Sequence, residues 1–189
     1  MNGIFEAALE IQRFCTERRW RFAMIGGVAV IRWGEPQATQ DVDLCLLTGF
    51  GGESAFVEEI LGEFAGRIRD ADRFALESRV LLVSASNGVP IDVALAGIPF
   101  EEELIRRASY YDFLPEVCLR TCSAEDLVVL KAFAGRAKDW ATVEGILARQ
   151  KDALDWSYIE KHLPALCELK DEPEAVAHLM HLRRQTEAG

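Results

Sequence analysis

The sequence predicts an α+β protein, with a mixed sheet flanked by helices and a helical C-terminal subdomain. Three observations support this prediction. Short apolar runs alternate with helical segments up to residue 120, and glycine-containing turns lie between several of them. One pair of runs is separated by Asn-Gly, a dipeptide typical of tight β-hairpins. From Ser123 onward, the apolar residues recur with a helical period. We therefore expect a core over residues 1–120 and a helical subdomain over residues 121–189.

Each predicted element has its own local signal. Helices are predicted over residues 4–19, 28–33, 53–69 and 100–108, and strands over residues 22–25, 42–47, 80–84, 89–94 and 116–120. The two strands beside the Asn-Gly turn are expected to be antiparallel neighbours. Ser123 followed by Asp126 is a helix N-cap signal. The helices of the last third are predicted over residues 123–135, 138–150, 156–169 and 173–186.

The composition limits the classes of function. The chain has 189 residues, half of them apolar, which is enough for one sizeable core with a helical appendage. A formal net charge of −10 argues against a broad nucleic-acid-binding surface, although a local basic patch stays open. The five scattered cysteines indicate reduced thiols in a cytoplasmic protein. No apolar run approaches the roughly 20 residues of a membrane span, so no membrane association is expected.

The residues that carry chemistry lie in predicted strands. Asp41 and Asp43 are one residue apart in an apolar run, so in a strand their side chains point to the same side. Two adjacent carboxylates repel each other, and a cation between them relieves the repulsion. Asp92 lies in another apolar strand, and the three carboxylates converge if the two strands are neighbours. The alternatives are an exposed edge strand for the pair and a loop cap for Asp92.

Three convergent carboxylates suit phosphoryl transfer assisted by two Mg²⁺ ions. One ion would orient a nucleoside triphosphate (NTP) and stabilise the departing pyrophosphate, and the other would lower the pKa of an acceptor hydroxyl. Asp92 is also a candidate base for the hydroxyl proton. Gly26 and Gly27 separate a strand from a helix, where the backbone can approach a phosphate at the helix N-terminus. A plain turn is the alternative for these glycines.

One stretch of sequence resembles a known family. IGGVAVIRWGEPQATQDVDLCL resembles the Gly-Gly and Asp-x-Asp signature of the nucleotidyltransferase superfamily typified by DNA polymerase beta. Together with DLVVLKAFAGRAKDWATVEGIL, it is most similar to small bacterial members related to AbiEii-type toxins and to minimal nucleotidyltransferases of toxin–antitoxin pairs. The resemblance covers residues 20–150 and implies a nucleotidyltransferase-like fold.

The resemblance also implies three groups of site residues. The Mg²⁺-binding and catalytic carboxylates would be Asp41, Asp43 and Asp92. The nucleotide-binding residues near the glycine motif would be Gly26, Gly27 and Thr39. The cations facing the triphosphate would be Lys131, Arg136 and Lys138, with Asp139 holding one of them in place. The alternatives for these cations are solvent exposure from a helix, helix capping and surface pairing.

The leading hypothesis is an enzyme that transfers a nucleoside monophosphate from an NTP to a hydroxyl on a protein, a tRNA or a small molecule. The resemblance implies a toxin–antitoxin or defence role. A second hypothesis is a catalytically inactive binding protein or antitoxin that acts through partner contact. It depends on Gln37, which stands where related sequences often have Arg. A third is an antibiotic-modifying nucleotidyltransferase, whose acidic pocket would suit a cationic drug.

Overall fold

The computed structural model describes residues 3–35, 38–170 and 174–188. The chain divides into two compact units. The first contains Met1–Val28 and Ala38–Cys122, and the second contains Ala29–Gln37 and Ser123–Gly189. The second unit is therefore discontinuous in sequence. The division into separate domains at residues 120 and 121 stays a prediction.

A seven-stranded mixed sheet forms the centre of the first unit within the described residues. Its strands are β1 Phe22–Ile25, β2 Val42–Leu47, β3 Ala65–Gly66, β4 Val80–Ser84, β5 Pro90–Ala96, β6 Ser109–Leu114 and β7 Val117–Thr121. Their order across the sheet is β3-β4-β5-β2-β1-β7-β6. β1 pairs in parallel with β7, and β2 pairs in parallel with β5, whereas the other neighbours are antiparallel. β2 therefore lies inside the sheet, and the edge-strand alternative for the aspartate pair is wrong.

Helices flank the sheet and also make up most of the second unit. The helices that begin in the first unit are α1 Gly3–Glu17, α2 Gly26–Trp33, α3 Glu53–Glu63, α4 Ala71–Ser78 and α5 Pro99–Arg107. Those of the second unit are α6 Ala124–Ala134, α7 Ala137–Gln150, α8 Trp156–Lys170 and α9 Glu174–Ala188. The predicted α+β class, with a mixed sheet, flanking helices and a helical C-terminal part, is confirmed.

A buried amide attaches α1 to β7. Gln12 is only 9% exposed. Its Nε2 donates to the Cys118 carbonyl at 2.8 Å, and its Oε1 accepts from the Arg120 backbone N–H at 2.8 Å. Both ends of the amide are thus satisfied by strand backbone, which removes most of the cost of burying a polar group. Matched hydrogen bonds therefore supplement the apolar burial of α1.

The predicted hairpin is present, and it sets the register that matters for the site. β4 and β5 pair antiparallel around the turn at Asn87 and Gly88. Gly88 has a φ of +81°, which favours glycine. The Val89 N–H donates to Asn87 Oδ1 at 3.1 Å. This pairing places Asp92 directly opposite Leu82.

The predicted helix over residues 53–69 is wrong in its last third, because α3 ends at Glu63. Phe64 has extended backbone angles (φ −108°, ψ 136°) and is 2% exposed. Its ring packs edge-on against Phe14, with 5.2 Å between ring centroids. Ala65–Gly66 then form β3 and pair with β4. The end of α3 is therefore set by a contact with another helix, which local periodicity does not record.

The sequence patterns do not predict α4 or β6. α4 is short and is bounded by two residues in the left-handed region, Asp70 and Arg79, with φ values of 53° and 59°. β6 carries the sequence SYYDFL, and all its residues except Phe113 are exposed. An exposed edge strand lacks the apolar alternation by which half-buried strands are recognised.

The longer segment of the second unit begins with the predicted helix cap at Ser123. Ser123 Oγ accepts from the Asp126 N–H at 3.2 Å, and Asp126 Oδ2 accepts from the Ser123 N–H at 3.1 Å. Asp126 is fully buried, and its Oδ1 accepts from the Tyr158 hydroxyl at 2.6 Å. Within the same unit, Gln150 Nε2 donates to the Trp33 carbonyl at 2.7 Å. In the part of the chain that the structure describes, no helix is long and apolar enough to cross a bilayer.

Candidate active site

The candidate active site is centred on Asp43 and Asp92, which are register partners on the parallel strands β2 and β5. Strand alternation buries Val42 and Leu44 completely on the opposite face and leaves Asp43 half-buried. Asp92 is likewise half-buried, inside a strand that is paired on both sides. The condition for convergence, that the two strands are neighbours, is met, and the loop-cap alternative for Asp92 is wrong.

Asp41 lies immediately before β2 and is held by Thr39. The Thr39 hydroxyl is 3.1 Å from both Asp41 Oδ1 and the Asp41 carbonyl oxygen, to which it donates. The strand begins at Val42, as predicted, so Asp41 is positioned by this turn and not by the sheet ladder. The negative charge of Asp41 nevertheless acts on Asp92, because it raises the pKa of that carboxyl group. Asp41 and Asp92 therefore interact electrostatically, and Asp43 lies beside Asp92 as its register partner.

Gly26 and Gly27 begin α2 and leave space for side chains of the site. Gly26 has a φ of +55°, and a Cβ at this position would lie 1.8 Å from Asp43 Oδ2. A Cβ at Gly27 would lie 2.2 Å from Thr39 Oγ1. Any larger residue would therefore displace one of these two side chains. The glycines do more than make a turn, while their contact with a nucleotide stays a prediction.

The environment of Asp92 favours its neutral form. Burial raises the pKa of the Asp92 carboxyl above its usual value, and the Arg67 guanidinium opposes the rise. The negative charge of Asp41 raises this pKa further. Burial stabilises the Asp92 carboxylate less well than water would. A bound cation would therefore stabilise it more strongly than it stabilises a fully exposed carboxylate.

Arg67 is the site residue that the sequence patterns miss. Its Nη2 forms an ion pair with Asp92 Oδ1. Its backbone N–H donates to the Leu82 carbonyl at 3.0 Å, which continues the register of β3 on β4. In the sequence, Arg67 falls inside the predicted helix over residues 53–69 and carries no signal of its own. Only the register of three strands places it beside Asp92.

The donor atoms at this site are of the type that Mg²⁺ prefers, because all three side chains are carboxylates. In the ranges that the structure describes, no group of three or more His, Cys, Asp and Glu side chains is already arranged to hold a metal ion. Asp92 is instead paired with Arg67. The donors therefore fit Mg²⁺ in chemical type, and Mg²⁺ binding stays a prediction.

The predicted cations lie in the second unit, at the junction of α6 and α7. Asp139 is fully buried, and its Oδ1 is 3.2 Å from both Lys131 Nζ and Arg136 Nη2. Burial acts to raise the pKa of Asp139, but hydrogen bonds and charge from Arg136 and Lys131 outweigh it, so the pKa is lowered. Asp139 thus holds two of the cations, and Lys138 is exposed. Their contact with a triphosphate stays a prediction.

The position that supports the non-catalytic hypothesis lies outside the described residues. Gln37, together with the preceding Pro36, falls between the described ranges that end at residue 35 and begin at residue 38. The structure therefore leaves the predicted consequence of Gln37 open.

The fold is nucleotidyltransferase-like. An antigenic nucleotidyltransferase-like protein from Paracoccidioides brasiliensis matches with a TM-score of 0.52 and 12% identity, over 95% of this chain and 93% of that chain. The antibiotic-resistance factor ANT(2'')-Ia matches in its solution structure with a TM-score of 0.53 and 15% identity, over 94% of this chain and 96% of that chain. No protein-family model and no curated protein sequence matches the chain. The fold implied by the sequence resemblance is confirmed, and a specific relation to AbiEii-type toxins stays a prediction.

Proposed function

We propose that this protein is a Mg²⁺-dependent nucleotidyltransferase that moves a nucleoside monophosphate from an NTP to an acceptor hydroxyl and releases pyrophosphate. One observation carries the proposal. Asp43 and Asp92 are register partners on interior parallel strands, and the N-terminus of α2 approaches Asp43 so closely that only glycine fits at Gly26. The nucleotidyltransferase-like fold supports the same conclusion.

Each residue has a role in this proposal. Asp41, Asp43 and Asp92 would hold Mg²⁺, which neutralises phosphate charge and lowers the pKa of the attacking hydroxyl when it is bound. Thr39 fixes the Asp41 carboxylate by its hydrogen bond. The first backbone N–H groups of α2 favour the negative charge of a phosphate. Asp92 is also the candidate base that accepts the hydroxyl proton.

For the acceptor, we propose a small cationic molecule. The match to an antibiotic-resistance factor extends over nearly the whole of both chains, which supports this class of acceptor. The net charge of −10 is favourable for a cation and unfavourable for tRNA. A protein side chain is the alternative acceptor. A toxin–antitoxin or defence role rests on the sequence resemblance alone.

A second candidate function is a binding protein of this fold without catalysis. The ion pair between Arg67 and Asp92 favours it, because an arginine that neutralises Asp92 permanently would remove one metal ligand. Such a protein would act through a partner, as an antitoxin does.

The two functions are separated by isothermal titration of each NTP with Mg²⁺. For the nucleotidyltransferase, we expect metal-dependent binding in the wild type and its loss in Asp41→Asn/Asp43→Asn. The matched control is Asp70→Asn/Asp72→Asn, since these exposed aspartates have the same spacing outside the site. A folded wild-type protein that binds no NTP in the presence of Mg²⁺ would favour the binding protein.

The acceptor class is then tested with an α-labelled NTP. Transfer of label to an aminoglycoside, and not to tRNA or protein, would support the small-molecule acceptor. Transfer to tRNA or protein alone would contradict that assignment but leave the nucleotidyltransferase intact.

A further inference from the structure

Arg67, Leu82, Asp92 and Asp43 form one row across neighbouring segments of the sheet. The Arg67 N–H bonds to Leu82, Leu82 is the register partner of Asp92, and Asp92 is the register partner of Asp43. Register partners place their side chains on the same face of a sheet. Arg67 is therefore aligned with both carboxylates by backbone pairing.

The arginine side chain is long enough to bring the Arg67 guanidinium into contact with Asp92. Arg67 and Asp92 are separated by β4, and neighbouring strands lie about 4.8 Å apart, so the guanidinium must extend past Leu82 to reach Asp92. The contact ends on Asp92 Oδ1. Arginine does not lose its charge in a protein, so Arg67 presents a cation to this oxygen at every pH of interest.

The position of Arg67 also allows it to leave. It directly follows β3, which is the edge strand of the sheet, and its side chain is 28% exposed. The Asp92 side chain is 33% exposed. A partly exposed ion pair at a sheet edge contributes little and separates without unfolding a buried element.

We infer that Arg67 is a built-in counter-ion that competes with a divalent cation for Asp92. The inference rests on the proposed function, because it assigns the same three carboxylates to the cation. In the free protein, Arg67 holds Asp92 and offsets its burial next to Asp41. Metal binding exchanges the guanidinium for the metal ion, and the released Arg67 moves towards solvent.

The test measures Mn²⁺ affinity of the intact, nucleotide-free protein by electron paramagnetic resonance of the unbound ion. Removal of the competitor in Arg67→Gln is expected to tighten Mn²⁺ binding about twofold to tenfold. Arg67→Lys keeps the charge on a single ammonium and is expected to give an intermediate affinity. The control Arg73→Gln removes an equal charge from an exposed pair with Glu77 and is expected to have the wild-type affinity.

A second background shows whether Arg67 acts through Asp92. In Asp92→Asn, the further change Arg67→Gln is expected to leave Mn²⁺ affinity unchanged. Equal tightening in both backgrounds would instead indicate a general charge effect and would overturn the inference, as would unchanged or weaker binding in Arg67→Gln alone. Thermal unfolding of each variant verifies that it is folded.

Failure of this inference is distinguishable from failure of the proposed function. If Mg²⁺·NTP binding depends on Asp41 and Asp43 but Mn²⁺ affinity is the same in the wild type and in Arg67→Gln, only the counter-ion role is overturned. If neither the wild type nor Arg67→Gln binds a metal ion, with or without NTP, both are overturned.

Discussion

Gly26 and Asp43 occupy adjoining space, since a Cβ on the first residue of α2 would lie 1.8 Å from the Asp43 Oδ2 atom. The helix therefore starts at the central carboxylate of the site, and only the absence of a side chain allows it. The backbone of Gly26 is also in the left-handed region, with a φ of +55°.

The first prediction concerns Gly26→Ala. We expect it to lower the free energy of unfolding by about 1 kcal/mol from the positive φ and by more from the displaced Asp43. Affinity for Mg²⁺·NTP should fall at least about tenfold, about 1.4 kcal/mol. Chemical denaturation and calorimetric titration measure the two effects.

The matched control for this change is Gly88→Ala. Gly88 also has a positive φ, but a Cβ there would meet nothing within 4 Å. It should share the backbone cost and leave Mg²⁺·NTP affinity unchanged. Equal losses of affinity in both variants would contradict the role assigned to Gly26.

The second prediction follows from the raised pKa of Asp92. The folded state binds the Asp92 proton more tightly than the unfolded state does, so the stability from this group falls as pH rises from its ordinary pKa of 3.8 through its folded pKa. Asp92→Asn should therefore be more stable than the wild type at pH 7, with a difference that shrinks towards pH 3.8. Denaturant unfolding at several pH values tests this. A variant that is less stable than the wild type at pH 7 would refute it.

The third prediction concerns Asp139, whose pKa is lowered. Stability from this carboxylate is present above its ordinary pKa of 3.8 and is lost as pH falls through the folded pKa. Asp139→Asn should lower the free energy of unfolding at pH 7 by about 1–3 kcal/mol, because Lys131 and Arg136 lose a buried partner.

The pH dependence and an exposed pair serve as controls for Asp139. The difference between wild type and Asp139→Asn should disappear in strong acid. Glu77→Gln, which breaks the exposed pair with Arg73, should change stability by less than about 0.5 kcal/mol. A cost for Asp139→Asn that does not vary with pH would point to packing and not to charge.

The fourth prediction concerns the buried capping box of α6. Tyr158→Phe removes the hydrogen bond to Asp126 Oδ1 and should cost about 1–3 kcal/mol of unfolding free energy. Tyr110→Phe, at a side chain in β6 that is 56% exposed, should be nearly neutral. Thermal unfolding of both variants gives the comparison, and equal shifts in melting temperature would contradict the buried role of Tyr158.

Where a residue's local sequence decides its structure, the prediction from sequence is accurate. The strands Phe22–Ile25 and Val42–Leu47 have the predicted bounds, and Ser123 caps α6 as expected. These elements depend on apolar periodicity, turn residues and capping, all of which are visible within a few residues.

Where contacts between residues far apart in the sequence determine the structure, the prediction from sequence is wrong or cannot be made. Phe64 ends α3 because its ring packs on Phe14, and the periodicity of residues 53–69 contains no trace of that contact. Arg67 reaches Asp92 only through the register of three strands. The sequence therefore identifies the aspartates by their unusual apolar surroundings but does not identify the arginine that neutralises one of them.

Because the second unit is discontinuous in sequence, it limits how gene recombination can exchange parts of this protein during evolution. Residues 29–35 are encoded between β1 and β2, yet they belong to the unit that otherwise begins at Ser123. The Gln150 side chain bonds to the Trp33 carbonyl across more than a hundred residues of sequence. A gene cut after codon 122 would still encode this segment but not the rest of its unit, including Gln150. Recombination at one boundary thus cannot transfer either unit whole, and the two are expected to have evolved as one heritable block.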